Sequence, residues 1–163
     1  MNIFYLSHDP DHAARQQCDK HVVKMILETA QLLSTAHREL DGDDWADSVG
    51  LYKRTHKNHP SAVWVRESHY NYQWTFYHFR ALCDEYTRRY GKVHATERLM
   101  DQLSVIPRLI DIKPFVAPPQ CMPDEYKQDD TVEAYRAYYN GDKAYMAKWA
   151  HSETPAWFKT LTK

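Results

Sequence analysis

Residues 18–33, CDKHVVKMILETAQLL, combine an apolar stripe of helical period with several ionisable side chains, which burial of the stripe does not require. Polar residues recur three or four positions apart, so on a helix they form one continuous polar column. The column consists of Lys20, Lys24, Glu28 and Gln31, with His21 beside it. Amines, a carboxylate and an amide suit an anionic ligand such as a phosphate, and a lysine with a lowered pKa can attack a sugar carbon or form a Schiff base. The alternative is a solvated helix face with Lys–Glu pairing.

A second candidate site is the most basic segment of the chain, LYKRTHKNHP and the helix start that follows it. No acidic residue occurs between Tyr52 and Arg66. A helix N-terminus that presents free N–H groups next to Lys and Arg can hold a phosphate. The predicted phosphate-binding residues are Lys53, Arg54, Lys57, Asn58, His59 and Arg66. The alternative is a solvated loop that balances the acidic residues 39–47 just before it.

No motif in the chain requires a metal or another cofactor. His8/His12 and His56/His59 have helical spacings, but neither HExxH nor CxxC accompanies them. The phosphate-binding glycine motifs and the GxSxG motif of serine hydrolases do not occur either. We therefore expect no bound metal and no cofactor.

Composition favours a single all-α domain. The length of 163 residues fits one domain that can bury a core. A fold of many strands needs frequent glycine-containing turns, and the chain has only 4 glycines. The net charge of −1 gives no positive field over the whole molecule, so any nucleic-acid binding must come from a local patch. No apolar run is long enough to span a membrane, and the start of the chain does not resemble a signal peptide, so we expect a cytoplasmic protein.

The helical period of the apolar residues, the capping residues and the prolines together predict the helices that position these candidate site residues. Asp9-Pro10 begins a helix predicted over about 10–39, and Pro60 begins a second, strongly aromatic helix that ends at Tyr90-Gly91. The remaining predicted elements are a strand or an extended arm over 2–6, a short helix near 95–104 and a long Pro-rich ordered loop over 106–123. Asp130-Thr131 caps a last predicted helix that runs through Trp149 and is interrupted or kinked at Asn140-Gly141. We thus predict a compact domain of three to five helices over residues 1–163.

The order and spacing of several segments resemble a known family. CDKHVVKMILETAQLL, NHPSAVW, YNYQW and RALCDEYTRRYGK are similar to segments of small bacterial and phage pyrimidine-dimer DNA glycosylases of the endonuclease V type. In that family a D-K-x-x-x-K-x-x-x-E-x-x-Q helix precedes an N-H-P turn and a Trp-containing helix. The resemblance covers about residues 10–91.

This resemblance implies a compact all-α protein that binds double-stranded, damaged DNA in a bacterial or phage-infected cell. The best-known members of the family remove one base of a damaged pyrimidine pair and cleave the resulting abasic strand. An amine attacks the sugar C1′, and a carboxylate stabilises the resulting cation. An α-amine suits this step because α-amines, with pKa values of ~7.7–8, are weaker bases than lysine side chains.

For this chain the resemblance leaves three candidate amines, those of Met1, Lys20 and Lys24. The family's carboxylate falls near His21 by rough alignment, so Glu28 is the nearest carboxylate on the column. The predicted catalytic set is Lys20, His21, Lys24 and Glu28, with Gln31 and the basic segment binding DNA. The alternatives are a DNA-binding phage-type protein without catalysis, an enzyme acting on a nucleotide or modified base, and a structural protein whose polar column is ordinary surface.

Overall fold

The computed structural model describes residues 1–159, and in these residues the chain is all-α, as predicted. The two long helices, Asp19–Asp41 and His69–Tyr90, pack on each other and on the helix Pro60–Glu67, and the second of them also packs on Pro10–Gln16. The helices are α1 (Pro10–Gln16), α2 (Asp19–Asp41), α3 (Asp44–Ser48), α4 (Pro60–Glu67), α5 (His69–Tyr90), α6 (Met100–Leu103) and α7 (Thr131–Asn140), with 3-10 turns at Ala95–Leu99 and Asp124–Tyr126. Residues 160–163 of the predicted domain lie outside the described part.

The described helices outnumber the three to five predicted, chiefly because each predicted long helix is broken. Between α1 and α2, Gln17 and Cys18 are extended. The Gln17 side chain donates to the carbonyl of Ile3 (3.3 Å), and the Cys18 N–H donates to the hydroxyl of Tyr139 (3.3 Å). Because partners distant in sequence bind these residues, tertiary contacts override the helical period here.

Ser68 breaks the second predicted helix into α4 and α5. It has an extended backbone (φ −152°, ψ 140°), and its hydroxyl caps α5 by accepting from the N–H groups of Tyr70 and Asn71. The same hydroxyl donates to the carbonyl of Lys113 (2.8 Å). The break therefore ties the start of α5 to the Pro-rich segment.

The first residues form an extended arm that is buried along its length. Ile3, Phe4, Tyr5 and Leu6 are buried. The side-chain oxygen of Asn2 accepts from the N–H groups of Ile3 (2.7 Å) and Phe4 (3.1 Å), and Phe4 takes a left-handed conformation with φ 54°. This tight arrangement lays the start of the chain against α2.

The Pro-rich segment is an ordered loop, as predicted. Its backbone carbonyls accept hydrogen bonds from side chains of the core: Trp64 donates to Val116 (2.9 Å), and Tyr135 donates to Pro119 (2.6 Å). Asn2 of the arm donates to Cys121 in the same segment (2.9 Å). The loop is therefore hydrogen-bonded both to the core and to the arm.

The last predicted helix ends at Gly141 instead of continuing to Trp149. A Cβ at Gly141 would overlap the ring of Tyr126, whose hydroxyl donates to Asp142 (2.8 Å). The chain then continues in turns that dock on the start of α2, where Asp19 donates to the carbonyl of Lys148 (2.8 Å) through its N–H. This docking brings the end of α7 to the polar column.

Candidate active site

A pocket of about 260 Å³ lies where α2, the N-terminal arm and the end of α7 meet. The polar column of α2 forms one wall. The N-terminal arm forms a second wall, and α7 with the turn that follows it forms the third. The lining residues are Met1, Asn2, Phe4, His21, Lys24, Met25, Glu28, Tyr138 and Lys143. Three predicted site residues, His21, Lys24 and Glu28, therefore converge.

Glu28 lies between two amines. One of its carboxylate oxygens is 3.8 Å from the α-amino nitrogen of Met1, and the other is 3.7 Å from the Nζ of Lys24. The Met1 side chain is only 3% exposed, whereas that of Lys24 is 70% exposed. The buried side chain of Met1 thus fixes the position of its α-amine, whereas the amine of Lys24 lies on an exposed side chain.

His21 contributes a neutral imidazole to the same pocket. Its ring stacks on Phe4 with the centroids 4.0 Å apart, and its Nδ1 is 2.6 Å from the hydroxyl of Tyr139. Burial, followed by the positive charges of Lys143, Lys24 and Lys20, lowers the pKa of His21 to about 3. The imidazole is therefore uncharged near neutral pH.

His59 lies close enough to the Met1–Glu28 pair to respond to both charges. Its Nδ1 accepts from the N–H of Ser61 (3.1 Å) and so caps α4. Burial lowers the pKa of His59 first, the ammonium of Met1 lowers it further, and Glu28 opposes the shift. Neither His59 nor Asn58 lines the pocket itself.

Comparison with protein families bears on what this pocket does. The family model described as pyrimidine dimer DNA glycosylase matches residues 1–98. The chain belongs to this family. Neither the curated proteins nor the solved structures give a match. The match confirms the resemblance given above and supports a DNA-repair, glycosylase-like protein whose substrate is DNA.

The glycosylase family match covers only part of the pocket. Met1, Lys24 and Glu28 lie inside the matched residues, whereas Tyr138 and Lys143 lie outside them. Sequence reasoning missed both of these residues, and also Phe4 and Tyr139. No spacing could have linked His21 to Tyr139, which is 118 positions away.

A larger open cleft of about 740 Å³ adjoins this pocket, and Lys24 lines both. Lys20, the remaining predicted catalytic residue, lines this cleft and not the pocket that contains Glu28. Lys148 and Tyr145 also line it, and Tyr145 is 77% exposed. Amines and an exposed aromatic ring are the side chains that bind phosphates and stack on bases.

Two of the predicted phosphate-binding arginines already have partners within the protein. Arg54 pairs with Glu39 (2.6 Å) and Asp43 (2.8 Å), and these hydrogen bonds raise the pKa of its guanidinium. Arg66 donates to the carbonyl of Lys57 (2.8 Å). Arg54 thus pairs with two of the acidic residues 39–47, as the alternative interpretation of the basic segment expected, whereas Arg66 binds a backbone carbonyl of that segment.

The other predicted binding residues remain available to a ligand. Lys53, Lys57 and Asn58 are exposed, and their side chains make no hydrogen bond or ion pair with any of residues 1–159. Gln31 is half-buried on α2 one turn beyond Glu28, outside the pocket. None of these residues lines the pocket itself.

Two further observations concern cofactors and membranes. Among residues 1–159, no three His, Cys, Asp or Glu side chains are grouped as a metal ion would require. None of the helices in this part of the chain is long and apolar enough to cross a membrane.

Proposed function

We propose that this protein is a DNA glycosylase and abasic-site lyase that acts on damaged double-stranded DNA, with the α-amine of Met1 as nucleophile and Glu28 as the essential carboxylate. Membership of the pyrimidine dimer DNA glycosylase family supports the reaction class. The single observation that carries the residue assignment is the distance of 3.8 Å between the Met1 nitrogen and a Glu28 oxygen.

The first chemical step is the exchange of the base for the amine at C1′. The lone pair of the neutral amine attacks C1′, and the bond from C1′ to the base breaks with its electron pair leaving on the base, which takes up a proton. The amine then loses a proton, and the bond from C1′ to the ring oxygen breaks with its electron pair leaving on that oxygen, which takes up a proton. The nitrogen lone pair forms the C=N bond of the resulting iminium ion. The Glu28 carboxylate, at ion-pair distance from the amine, stabilises this cation.

The second step cleaves the strand by elimination. Glu28 accepts a proton from C2′, the electron pair moves to form a C2′–C3′ double bond, and the C3′–O bond breaks with the phosphate as leaving group. Water then hydrolyses the iminium ion and releases the amine. One carboxylate thus serves both steps, first as a counter-charge and then as a base.

Met1 suits the nucleophilic role better than either lysine. α-Amines are weaker bases than lysine side chains, so more of an α-amine is neutral near pH 7. The Met1 side chain is buried, and the Asn2 side chain fixes the backbone that follows it by accepting from the N–H of Ile3. The Met1 amine is therefore held in one place, whereas Lys24 is exposed. Lys20 lines the neighbouring cleft. We assign Lys24 to the orientation of Glu28 and Lys20 to phosphate binding.

DNA binding would then use exposed groups of the basic segment and of the larger cleft. Lys53, Lys57 and Asn58 lie on the basic segment, and the neighbouring His59 responds to the charges of Met1 and Glu28. Lys20 and Lys148 line the cleft, which shares Lys24 with the pocket. In this proposal both sets of groups contact phosphates of one duplex.

Borohydride reduction tests the proposal, because it converts an iminium ion into a stable covalent bond. Incubation with a duplex that contains one abasic site or one pyrimidine dimer, followed by borohydride, is expected to give a protein–DNA adduct on a denaturing gel. An undamaged duplex of the same sequence is the control. Binding to damaged duplex without any adduct would overturn the lyase assignment and favour the non-catalytic DNA-binding alternative.

A further inference from the structure

The hydroxyl of Tyr139 is buried and has three polar neighbours in the described structure. It lies 2.6 Å from the Nδ1 of His21, 3.3 Å from the backbone nitrogen of Cys18 and 3.6 Å from the Sγ of Cys18. Tyr139 itself is completely buried. It therefore exchanges hydrogen bonds with these groups and not with solvent.

The chemistry of these neighbours decides where the one hydroxyl proton goes. The Cys18 N–H can only donate, so it uses a lone pair of the Tyr139 oxygen. An imidazole nitrogen is a strong acceptor and a thiol sulfur is a weak one, so the O–H bond points to His21 at the shorter distance. Burial raises the pKa of Tyr139 well above its ordinary value, and so the proton stays on the oxygen.

We propose that Tyr139 is a positioning residue, which fixes His21 as a neutral imidazole with its proton on Nε2, so that His21 donates a hydrogen bond to a substrate oxygen in the pocket. In a neutral imidazole only one nitrogen carries a proton, and the partner of the other nitrogen selects which. Because Tyr139 occupies Nδ1, Nε2 is the nitrogen that remains for the pocket that His21 lines.

The charges around His21 also keep it neutral. The charges that lower its pKa are those of Lys143, which follows α7, and of Lys24 and Lys20 on its own helix. The amine of Met1 also lines the pocket. Glu28 is the one carboxylate among the residues that line the pocket, and it pairs with the two nearest amines. These surroundings disfavour a second proton on the imidazole.

This assignment deepens the proposed function and rests on it for the substrate. Glu28 can only accept a hydrogen bond when ionised, whereas His21 in this form donates one. The oxygens of a deoxyribose or of its phosphates are acceptors, and they would approach Nε2 while C1′ approaches the amine. His21 thus supplies a donor at the position where the resemblance places a carboxylate.

Long-range ¹H–¹⁵N correlation spectra of the labelled protein test the assignment without DNA, since they distinguish the two imidazole tautomers. The His21→Gln variant identifies the resonances of His21 by their loss. At pH 7 we expect the Nε2–H tautomer in the wild type and a mixture of tautomers in Tyr139→Phe. A proton on Nδ1 of the wild-type ring, or a charged ring, would overturn the proposal.

Tyr135→Phe is the matched control. Tyr135 is a buried residue of the same helix and also packs against Phe4, but its hydroxyl binds Pro119 and Cys121. This variant should leave the tautomer of His21 unchanged. A similar change in both variants would mean that general repacking and not the Tyr139 hydroxyl controls His21. Thermal melts of both variants establish that they are folded.

Cleavage of an abasic duplex tests whether Tyr139 matters for the reaction. Tyr139→Phe should reduce the turnover rate roughly tenfold, the effect of one hydrogen bond in the range of about 1 to 1.5 kcal/mol, with a smaller change in duplex affinity. Tyr135→Phe should match the wild type. If the tautomer is as proposed but no cleavage occurs in the wild type, the proposed function fails and the assignment of Tyr139 stands. Normal turnover in Tyr139→Phe would contradict the positioning role of Tyr139 in the reaction.

Discussion

At the residue scale, the site depends on one carboxylate placed beside a fixed amine. The 3.8 Å between Glu28 and Met1 results from the buried arm, which Asn2 and the left-handed Phe4 hold in a tight turn. A non-glycine residue in this conformation is uncommon and is retained where the surroundings enforce it. The strained backbone therefore lies next to the groups that we assign to chemistry.

Replacing Glu28 by glutamine tests the role of its charge. Glu28→Gln keeps the size of the side chain but removes the counter-charge and the base, so strand cleavage should fall by about 10²- to 10⁴-fold. Glu67→Gln, at the exposed end of α4, is the matched control and should cleave like the wild type. Cleavage of an abasic duplex under single-turnover conditions measures both. An unchanged rate in Glu28→Gln would contradict the assignment.

The buried His78 should make the free energy of unfolding depend on pH. Its Nδ1 donates to the carbonyl of Pro10 (3.1 Å), its Nε2 accepts from Gln17 (3.0 Å), and burial lowers its pKa to about 4. The unfolded chain binds this proton at higher pH than the folded chain does. The free energy of unfolding should therefore fall as the pH is lowered from about 6.5 to about 4, by up to about 1.4 kcal/mol per pH unit from this histidine.

Urea unfolding at several pH values between 4 and 7 measures this slope. His78→Gln should show a shallower slope than the wild type, whatever its absolute stability. His12→Gln, at an exposed position of α1, should retain the wild-type slope. Equal slopes in the wild type and His78→Gln would show that His78 does not bind its proton differently in the two states.

At the element scale, a buried ion-pair network joins α5 to the junction of α1 and α2. The Arg89 side chain is fully buried and pairs with Glu85 (2.8 Å) and Asp19 (3.1 Å), and it donates to the carbonyl of Arg15 (2.9 Å). Asp19 also accepts from the N–H of Ala150 (2.7 Å). The network thus fixes the start of α2 and the segment that completes the site.

Arg89→Ala should strongly destabilise the fold. It leaves the carboxylates of Glu85 and Asp19 without their buried partner, which costs about 3–5 kcal/mol of unfolding free energy. Arg88 also binds Glu85, but its side chain is 54% exposed. Arg88→Ala should therefore cost no more than about 1 kcal/mol. Urea unfolding compares the two, and equal losses would contradict the proposed role of the network.

The local signals in the sequence predicted the helix ends better than the helix interruptions. Asp9-Pro10, Pro60, Gly91 and Asp130 are caps or first-turn residues of the observed helices, because capping depends on neighbouring residues alone. The breaks at 17–18 and at Ser68 were not predicted. Their causes are hydrogen bonds to Ile3, Tyr139 and Lys113, which no local pattern contains.

At the scale of the whole molecule, the site is assembled from both ends of the chain around α2. The polar column was predicted from spacing, and α2 carries three of its residues to the pocket or the cleft. Tyr138, Tyr139 and Lys143 were not predicted, since their approach depends on how the last 20 or so described residues dock. The predicted set therefore supplies one wall of the site, and tertiary structure supplies the others.

The net charge of −1 means that DNA affinity must come from local patches. If Lys53 and Lys57 each contact a phosphate, the double variant Lys53→Ala/Lys57→Ala should reduce the slope of log affinity against log salt by roughly 2, about 1 for each lysine. Lys92→Ala/Lys113→Ala removes two exposed lysines outside the basic loop and should keep the slope. Fluorescence anisotropy with a labelled duplex at several salt concentrations measures both slopes. A slope unchanged in the first variant would exclude this loop from phosphate binding.

The most direct test of the central claim is the position of the covalent bond. After borohydride reduction on an abasic duplex, the protein is digested and the modified peptide is identified by mass spectrometry, with the intact mass establishing that Met1 is the first residue of the preparation. We predict modification of the Met1 α-amine, its retention in Lys24→Gln and its loss when several residues are added before Met1. Modification of Lys24 or Lys20, or an adduct that survives the N-terminal extension, would contradict the account.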